Sequence, residues 1–136
     1  MSNLITFVDS GVLITAARGQ DVVLKSRAQQ LLLDPQREFA SSAFVQLEVL
    51  PKAIWVNNQH EQAVYQTFFQ NVRHWPGDTD AVIALAQIEA RTYGLGSLDA
   101  LHIAAAVLLG AAELVTIEKP AKSIHRAKSI KVVTLR

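Results

Sequence analysis

Four carboxylates adjoin apolar sequence at the edges of expected elements: Asp9, Glu48, Asp99 and Glu118. Asp9 closes the run Leu4-Ile5-Thr6-Phe7-Val8, and Glu118 follows Leu114-Val115-Thr116-Ile117. Acids that follow two strands of a parallel sheet emerge at the same edge, beyond the carboxyl ends of the strands, where α/β folds bind ligands. Asp99 opens an apolar helix, and Glu48 lies early on another. Two carboxylates about 5 Å apart repel by roughly 3 kcal/mol at an effective dielectric of 20, so a gathered set needs protons or a cation. The chain has no cysteine and no paired histidines near these positions, so oxygen donors would select a hard ion such as Mg²⁺ or Mn²⁺ over zinc. Such an ion polarises a phosphoryl oxygen, lowers the pKa of a bound water and stabilises a leaving oxygen, which is phosphodiester hydrolysis. Each acid also has a plainer reading. Asp99 could complement the helix macrodipole, Glu48 could be an ordinary surface glutamate, Asp9 could make an Asx-turn and Glu118 could be a loop acid.

The elements that would position these acids can be read from the pattern. Leu4 to Val8 is a buried strand stopped by Asp9-Ser10-Gly11. Val12 to Leu33 reads as helical segments interrupted near Gly19 and closed by Asp34-Pro35, since proline disfavours a helical residue before it. Glu38 to Ser41 is a short second strand, and Ser42 can cap a helix from Ala43 toward Asn57, with a kink expected at Pro51. Gln59 to Trp75 has helical amphipathic spacing and ends at Pro76-Gly77. Asp78 or Thr79 can cap a helix to Tyr93; Gly94-Leu95-Gly96 then turns to Ser97, the expected cap of a helix through Leu109 that is apolar almost all round. Glu113 to Ile117 is a strand, Ser123 to Ala127 a short helix and Ile130 to Leu135 a final strand. Strands alternating with helices predict a three-layer α/β/α sandwich with a mostly parallel central sheet, its nearly all-apolar helix at the centre.

Bulk properties narrow the choice further. A chain of 136 residues, 50% of them apolar, suits one domain with one core, residues 1–136. A net charge of +1 gives no overall basic field, so affinity for a polyanion must come from local charge and bound metal. The start, Met1-Ser2-Asn3-Leu4, lacks a basic leader segment, and the apolar stretch Ile103 to Leu109 is far short of the ~20 residues that span a bilayer. The expectation is a cytoplasmic protein with no membrane association. Lys119, Lys122, Arg126, Lys128, Lys131 and Arg136 follow Glu118 with no further acid, and a basic strip beside an acidic pocket could hold phosphates; it could equally be ordinary solvated surface. His102, one turn beyond Asp99, reads as a hydrogen-bonded core histidine. Trp55, Tyr65, Phe68, Phe69 and Trp75 read mainly as packing, with Trp55 open to a dimer or partner contact.

The residues now carry a resemblance. Phe7-Val8-Asp9-Ser10-Gly11-Val12-Leu13-Ile14 resembles the opening strand and turn of PIN domains, and Leu47-Glu48-Val49-Leu50-Pro51 resembles their helical glutamate. Leu98-Asp99-Ala100-Leu101-His102-Ile103-Ala104-Ala105-Ala106 resembles their central acidic helix, and Leu114-Val115-Thr116-Ile117-Glu118 the strand that usually ends in Thr-x-Asp. The motifs occur in the family's order and cover nearly the whole chain, which resembles the toxin half of bacterial VapBC toxin–antitoxin pairs. Two positions depart from the pattern: Glu118 stands where aspartate is usual, and Gly11 where a polar residue is common. The resemblance implies Asp9 and Asp99 as main metal ligands, Glu48 supporting the ion or its water, and Glu118 in a more variable fourth position. Ser10 and Thr116 would add hydroxyl contacts, and Lys119, Lys122 and Arg126 are the candidate phosphate contacts. It further implies a Mg²⁺- or Mn²⁺-dependent endoribonuclease acting on structured RNA such as tRNA or ribosomal RNA, a cognate antitoxin and a homodimer.

Other readings use the same first acid. A phosphoaspartyl phosphatase wants a second acid two residues after Asp9, where Gly11 stands, and a receiver wants an aspartate after another central strand, where none is evident. A catalytically impaired PIN-like binding module, acting through antitoxin or RNA binding, is the stronger rival, with Glu118 as its symptom.

Overall fold

The computed structural model describes residues 3–136; Met1 and Ser2, part of the amino-terminal stretch read above for a leader, lie outside it. Strand β1 (Leu4–Val8) passes directly into α1 (Ser10–Arg18), followed by α2 (Val22–Leu32) and β2 (Arg37–Ala40). Helices α3 (Ala43–Trp55), α4 (Gln59–Asn71), α5 (Thr79–Tyr93) and α6 (Ser97–Leu108) precede β3 (Glu113–Thr116), a 3₁₀ turn at Ser123–Arg126 and β4 (Lys131–Thr134). The sheet order is β2-β1-β3-β4, and every pairing is parallel. All four residues of β3 and the last three of β1 are buried, which a central strand achieves only when both faces are covered by helices. This is the expected α/β fold with a parallel central sheet.

Local chemistry explains most boundaries. Asp21, Ser42, Asn58 and Asp78 each accept a hydrogen bond from a backbone N–H of the first turn of the helix they precede. Gly94, with φ of 69°, terminates α5 in the left-handed conformation and starts the hairpin to α6. Helix α6 lies in the core through Ile103, Ala104, Ala105 and Ala106, none of which has exposed surface. Its small side chains let the helix approach its neighbours closely.

Several expectations need correction. Helix α1 starts at Ser10, not Val12, so Asp9 occupies its N-cap position. Helix α4 ends at Asn71, before Trp75, because the N–H groups of Arg73 and His74 donate to Phe39 O and His74 O accepts from Ser41 N, tying this segment to the end of β2. Gly96, rather than Ser97, precedes the first turn of α6, and no side chain caps it. Glu48 is mid-helix in α3, which continues through Pro51 to Trp55. Gly11 has a steric reason: a Cβ there would lie 2.9 Å from Ile117 Cγ1. Among the described residues, no helix is long and apolar enough to cross a membrane.

Candidate metal centre

Parallel pairing of β1 with β3 brings Asp9 and the segment after Thr116 to one sheet edge, locked by the bond from Asp9 N–H to Val115 O at 3.0 Å. Although Asp9 sits at the N-cap of α1, its carboxylate makes no capping bond. Instead the Thr116 hydroxyl donates to Asp9 Oδ2 at 2.8 Å and itself accepts from Glu118 N–H at 3.1 Å. No hydrogen bond of an Asx-turn is formed by Asp9 among the described residues. The buried carboxyl of Asp9 is pushed above its ordinary value, first by burial; His102 and the Thr116 hydroxyl pull it down, Glu48 pushes it up and the Ser10 N–H lowers it.

Glu48 approaches the same edge from α3, and His102 Nε2 lies 2.5 Å from its Oε1 and 3.9 Å from Asp9 Oδ1. Burial alone would raise the Glu48 carboxyl, but the hydrogen bond and charge of His102, with the Ser10 hydroxyl, outweigh it and hold the group below its ordinary value. An ionised carboxylate only accepts, so the ring nitrogen donates. His102 is 1% exposed, its ring centroid is 5.9 Å from that of Phe7, and its Nδ1 has no partner among the described residues. The core-histidine expectation is met, with an addition that the sequence did not reveal: the imidazole fixes one oxygen of Glu48.

Asp99 stands in the first turn of α6, half-buried, with its carboxyl raised first by burial, then by Asp9, against a lowering by His102, and further by Glu118 and Glu48. All four predicted acids therefore act in one electrostatic field. No lysine or arginine forms an ion pair with any of them among the described residues. They are gathered without being closed into a cage, since no three Asp, Glu or His side chains converge tightly enough to hold an ion among the described residues. Oxygen donors, several of them unneutralised, nevertheless fit a hard cation by charge and donor type. Of the predicted hydroxyls, Thr116 contacts Asp9 and Ser10 stands beside Glu48. Lys119, Lys122 and Arg126 are exposed and make no ion pair among the described residues.

Sequence reading missed a second polar cluster next to this edge. Glu61 is buried on α4, accepts from the Tyr65 hydroxyl at 2.7 Å and lies 3.7 Å from Arg18 Nε. The signal available was the i, i+4 spacing of Glu61 and Tyr65 on one helix face.

Comparisons with known proteins agree with this fold. The chain is similar in structure to a toxin-antitoxin complex from Klebsiella pneumoniae, with 21% identity, coverage of 95% of this chain and 96% of that one, and a TM-score of 0.69. It is similar at 15% identity to VapBC2 from Rickettsia felis bound to a DNA fragment from their promoter, covering 96% of this chain and 98% of that one with a TM-score of 0.69. FitAcB from Neisseria gonorrhoeae, at 18% identity, covers 94% of this chain and 96% of that one with a TM-score of 0.63. At such identities the likeness shows a shared fold. No curated protein matches the chain. The family model described as PIN domain matches residues 6–120, so the chain belongs to the PIN domain family.

Proposed function

We propose that the chain is a divalent-metal-dependent endoribonuclease and the toxin component of a toxin–antitoxin pair. The observation that carries this reading is the unneutralised acidic edge: Asp9 and Asp99 both have raised carboxyls, and neither is paired with lysine or arginine among the described residues. Nuclease activity is the general activity of VapC-like PIN proteins, and such nucleases generally use divalent metals. Asp9 and Asp99 would be the main ligands of Mg²⁺ or Mn²⁺, with Glu48 and Glu118 completing the acidic shell. A hard cation held there supplies Lewis-acid polarisation of a phosphodiester and charge stabilisation at the leaving oxygen.

The chain's own residues do the rest. Thr116 fixes one Asp9 oxygen and would leave the other to a cation, while His102 restrains Glu48 so that its second oxygen would orient a water or take its proton. Lys119, Lys122 and Arg126 would hold phosphates flanking the scissile bond, without base discrimination. Structured RNA, tRNA or ribosomal RNA, is the proposed substrate in the cytoplasm, with a cognate antitoxin as inhibitor and a homodimer as the assembled form. The neighbouring toxin–antitoxin structures support the antitoxin partner.

A second reading, a binding module with impaired catalysis, is favoured by Glu118 at the position where aspartate is usual and by the absence of a closed three-ligand set among the described residues. The two separate on one experiment: purified, antitoxin-free protein is incubated with total cellular RNA in Mg²⁺, Mn²⁺ or EDTA, beside Asp9→Asn/Asp99→Asn. Discrete fragments that require metal and vanish in the variant support the nuclease. Intact RNA with correctly folded protein supports the module.

A further inference from the structure

A pocket of about 160 Å³ lies between α1, α3 and the start of α4, and Glu48 is part of its wall. It is therefore contiguous with the acidic edge. Ile14, Val49 and Ala53 give it apolar sides, Val56 stands on its exposed rim, and Arg18 and Lys52 are exposed cations in its lining. The polar group is Glu61, which is 5% exposed. Its Oε1 accepts from Tyr65 and faces Arg18, whereas its Oε2 accepts no hydrogen bond among the described residues. Burial and Glu61 push the Tyr65 hydroxyl well above its ordinary value, so it stays protonated and continues to donate. One carboxylate oxygen is thus left without a hydrogen-bond donor in a narrow slot lined by both apolar and charged side chains.

We infer that this pocket is a nucleobase subsite, taking the base of the nucleotide next to the scissile phosphate and preferring guanine; the inference rests on the nuclease reading above. Size favours a fragment: drug-sized ligands occupy pockets of roughly 300–1,000 Å³, and this one, at about 160 Å³, suits a single planar base. Location favours an RNA base, because a phosphate held at the edge sets its neighbouring nucleotide beside Glu48. Sequence-specific RNA recognition splays single-stranded bases into such sites and reads their hydrogen-bonding edges. Chemistry selects guanine, whose N1–H and N2–H₂ donors are adjacent. In adenine, cytosine and uracil every donor is flanked by an acceptor that a carboxylate repels. Arg18 and Lys52 suit the phosphates of the same nucleotide, and they disfavour an arginine or lysine side chain inserted by a protein partner.

The test has a binding arm that does not need cleavage. Guanosine 5′-monophosphate and uridine 5′-monophosphate are titrated into the metal-free protein and followed by amide NMR shifts. The guanine nucleotide should bind roughly tenfold more tightly, the difference made by one net hydrogen bond. Shifts should centre on Ala53, Val56 and Tyr65. Val56→Trp, which closes the exposed rim, should abolish binding; Glu61→Gln should remove the difference between nucleotides. In the cleavage arm, randomised RNA should be cut with guanine enriched at one flanking position, and the enrichment should be lost in Val56→Trp. Equal binding of the two nucleotides, no binding to the folded protein, shifts elsewhere, or cleavage without a flanking preference overturns the subsite. Guanine-selective binding by a wild-type protein that cleaves no RNA would instead contradict the nuclease reading.

Discussion

Two buried acids on the β1–β3 pair have nearly the same surroundings and opposite fates. Glu113 and Asp9 are both 6% exposed, and each accepts a hydrogen bond from a threonine hydroxyl across the strand pair, Thr6 at 2.7 Å and Thr116 at 2.8 Å. Each threonine oxygen also accepts a further N–H, from Arg37 Nε at 3.3 Å and from Glu118 N at 3.1 Å. The difference is the third partner. Glu113 receives the Arg37 guanidinium at 3.1 Å, and Arg37 also reaches Asp34 at 3.2 Å, so charge and hydrogen-bond demands are met inside the fold. Asp9 has no lysine or arginine partner among the described residues; the nearest cationic group is His102, 3.9 Å away and committed to Glu48. One end of the strand pair neutralises its acid with arginine; the other has no lysine or arginine partner among the described residues.

The largest effect expected from breaking this comparison is on activity. Asp9→Asn/Asp99→Asn should lower the rate of metal-dependent RNA cleavage by about a thousandfold or more, within the range for lost metal and acid–base function. Cleavage-product quantification checks it, and Glu113→Gln assayed alongside should retain far more activity.

Stability should move in opposite directions at the two ends. Arg37→Ala strands the buried Glu113 charge and should destabilise the fold by about 3 kcal/mol, the lower end for a broken buried pair because Arg37 is partly exposed. Asp9→Asn in metal-free buffer should instead stabilise by about 1 kcal/mol, since it removes a buried and repelled charge while keeping an acceptor for Thr116. Urea denaturation measures both. Destabilisation by both would show that the two acids are alike.

His102 sharpens the acidic end. His102→Leu should reduce cleavage about 10–100-fold, as loss of a residue supporting a metal ligand does, and weaken Mn²⁺ binding. His102→Gln, which keeps a donor near the Nε2 position, should recover most of both. Equal losses in the two variants would mean that the imidazole only fills space.

The smallest effect is a pH trend. Asp9 and Asp99 have folded-state values above the ordinary 3.8, so their contribution to stability is complete below that value and is lost as pH rises through the folded-state values. Glu48 is lowered from 4.5 and works in reverse, its contribution present above that value and lost as pH falls. Asp9→Asn/Asp99→Asn should therefore gain stability relative to the metal-free wild type as pH rises from 4 to 7. A gap that narrows over this window would reverse the sign assigned to the pair.

Much of this arrangement was legible because local signals agreed with the fold. The apolar run before Asp9, the caps at Ser42 and Asp78, and the glycine at 94 placed β1, α3, α5 and α6 with only small boundary errors. Alternation of strands and helices gave the parallel sheet and hence the shared edge of Asp9 and Glu118. The end of α4 was misread because amphipathic spacing continues past Asn71, whereas the backbone there is claimed by Phe39 and Ser41, partners more than 30 residues away. For the same reason, composition could not separate Glu113 from Asp9. Both are acids on apolar strands, and only the long-range arrival of Arg37 distinguishes them. The link between His102 and Glu48 crosses 54 positions, and no local pattern announces it.

The most direct test of the central claim is the thermal stability of the wild-type chain, Asp9→Asn/Asp99→Asn and Glu113→Gln, each with and without millimolar Mn²⁺ at neutral pH. A cation bound only by the folded state raises stability by about 2.7 kcal/mol at one hundred times its dissociation constant. The midpoint should rise in the wild type and in Glu113→Gln, and stay fixed in Asp9→Asn/Asp99→Asn. An unchanged wild-type midpoint, or an equal rise in all three proteins, would contradict a cation site at the Asp9–Asp99 edge.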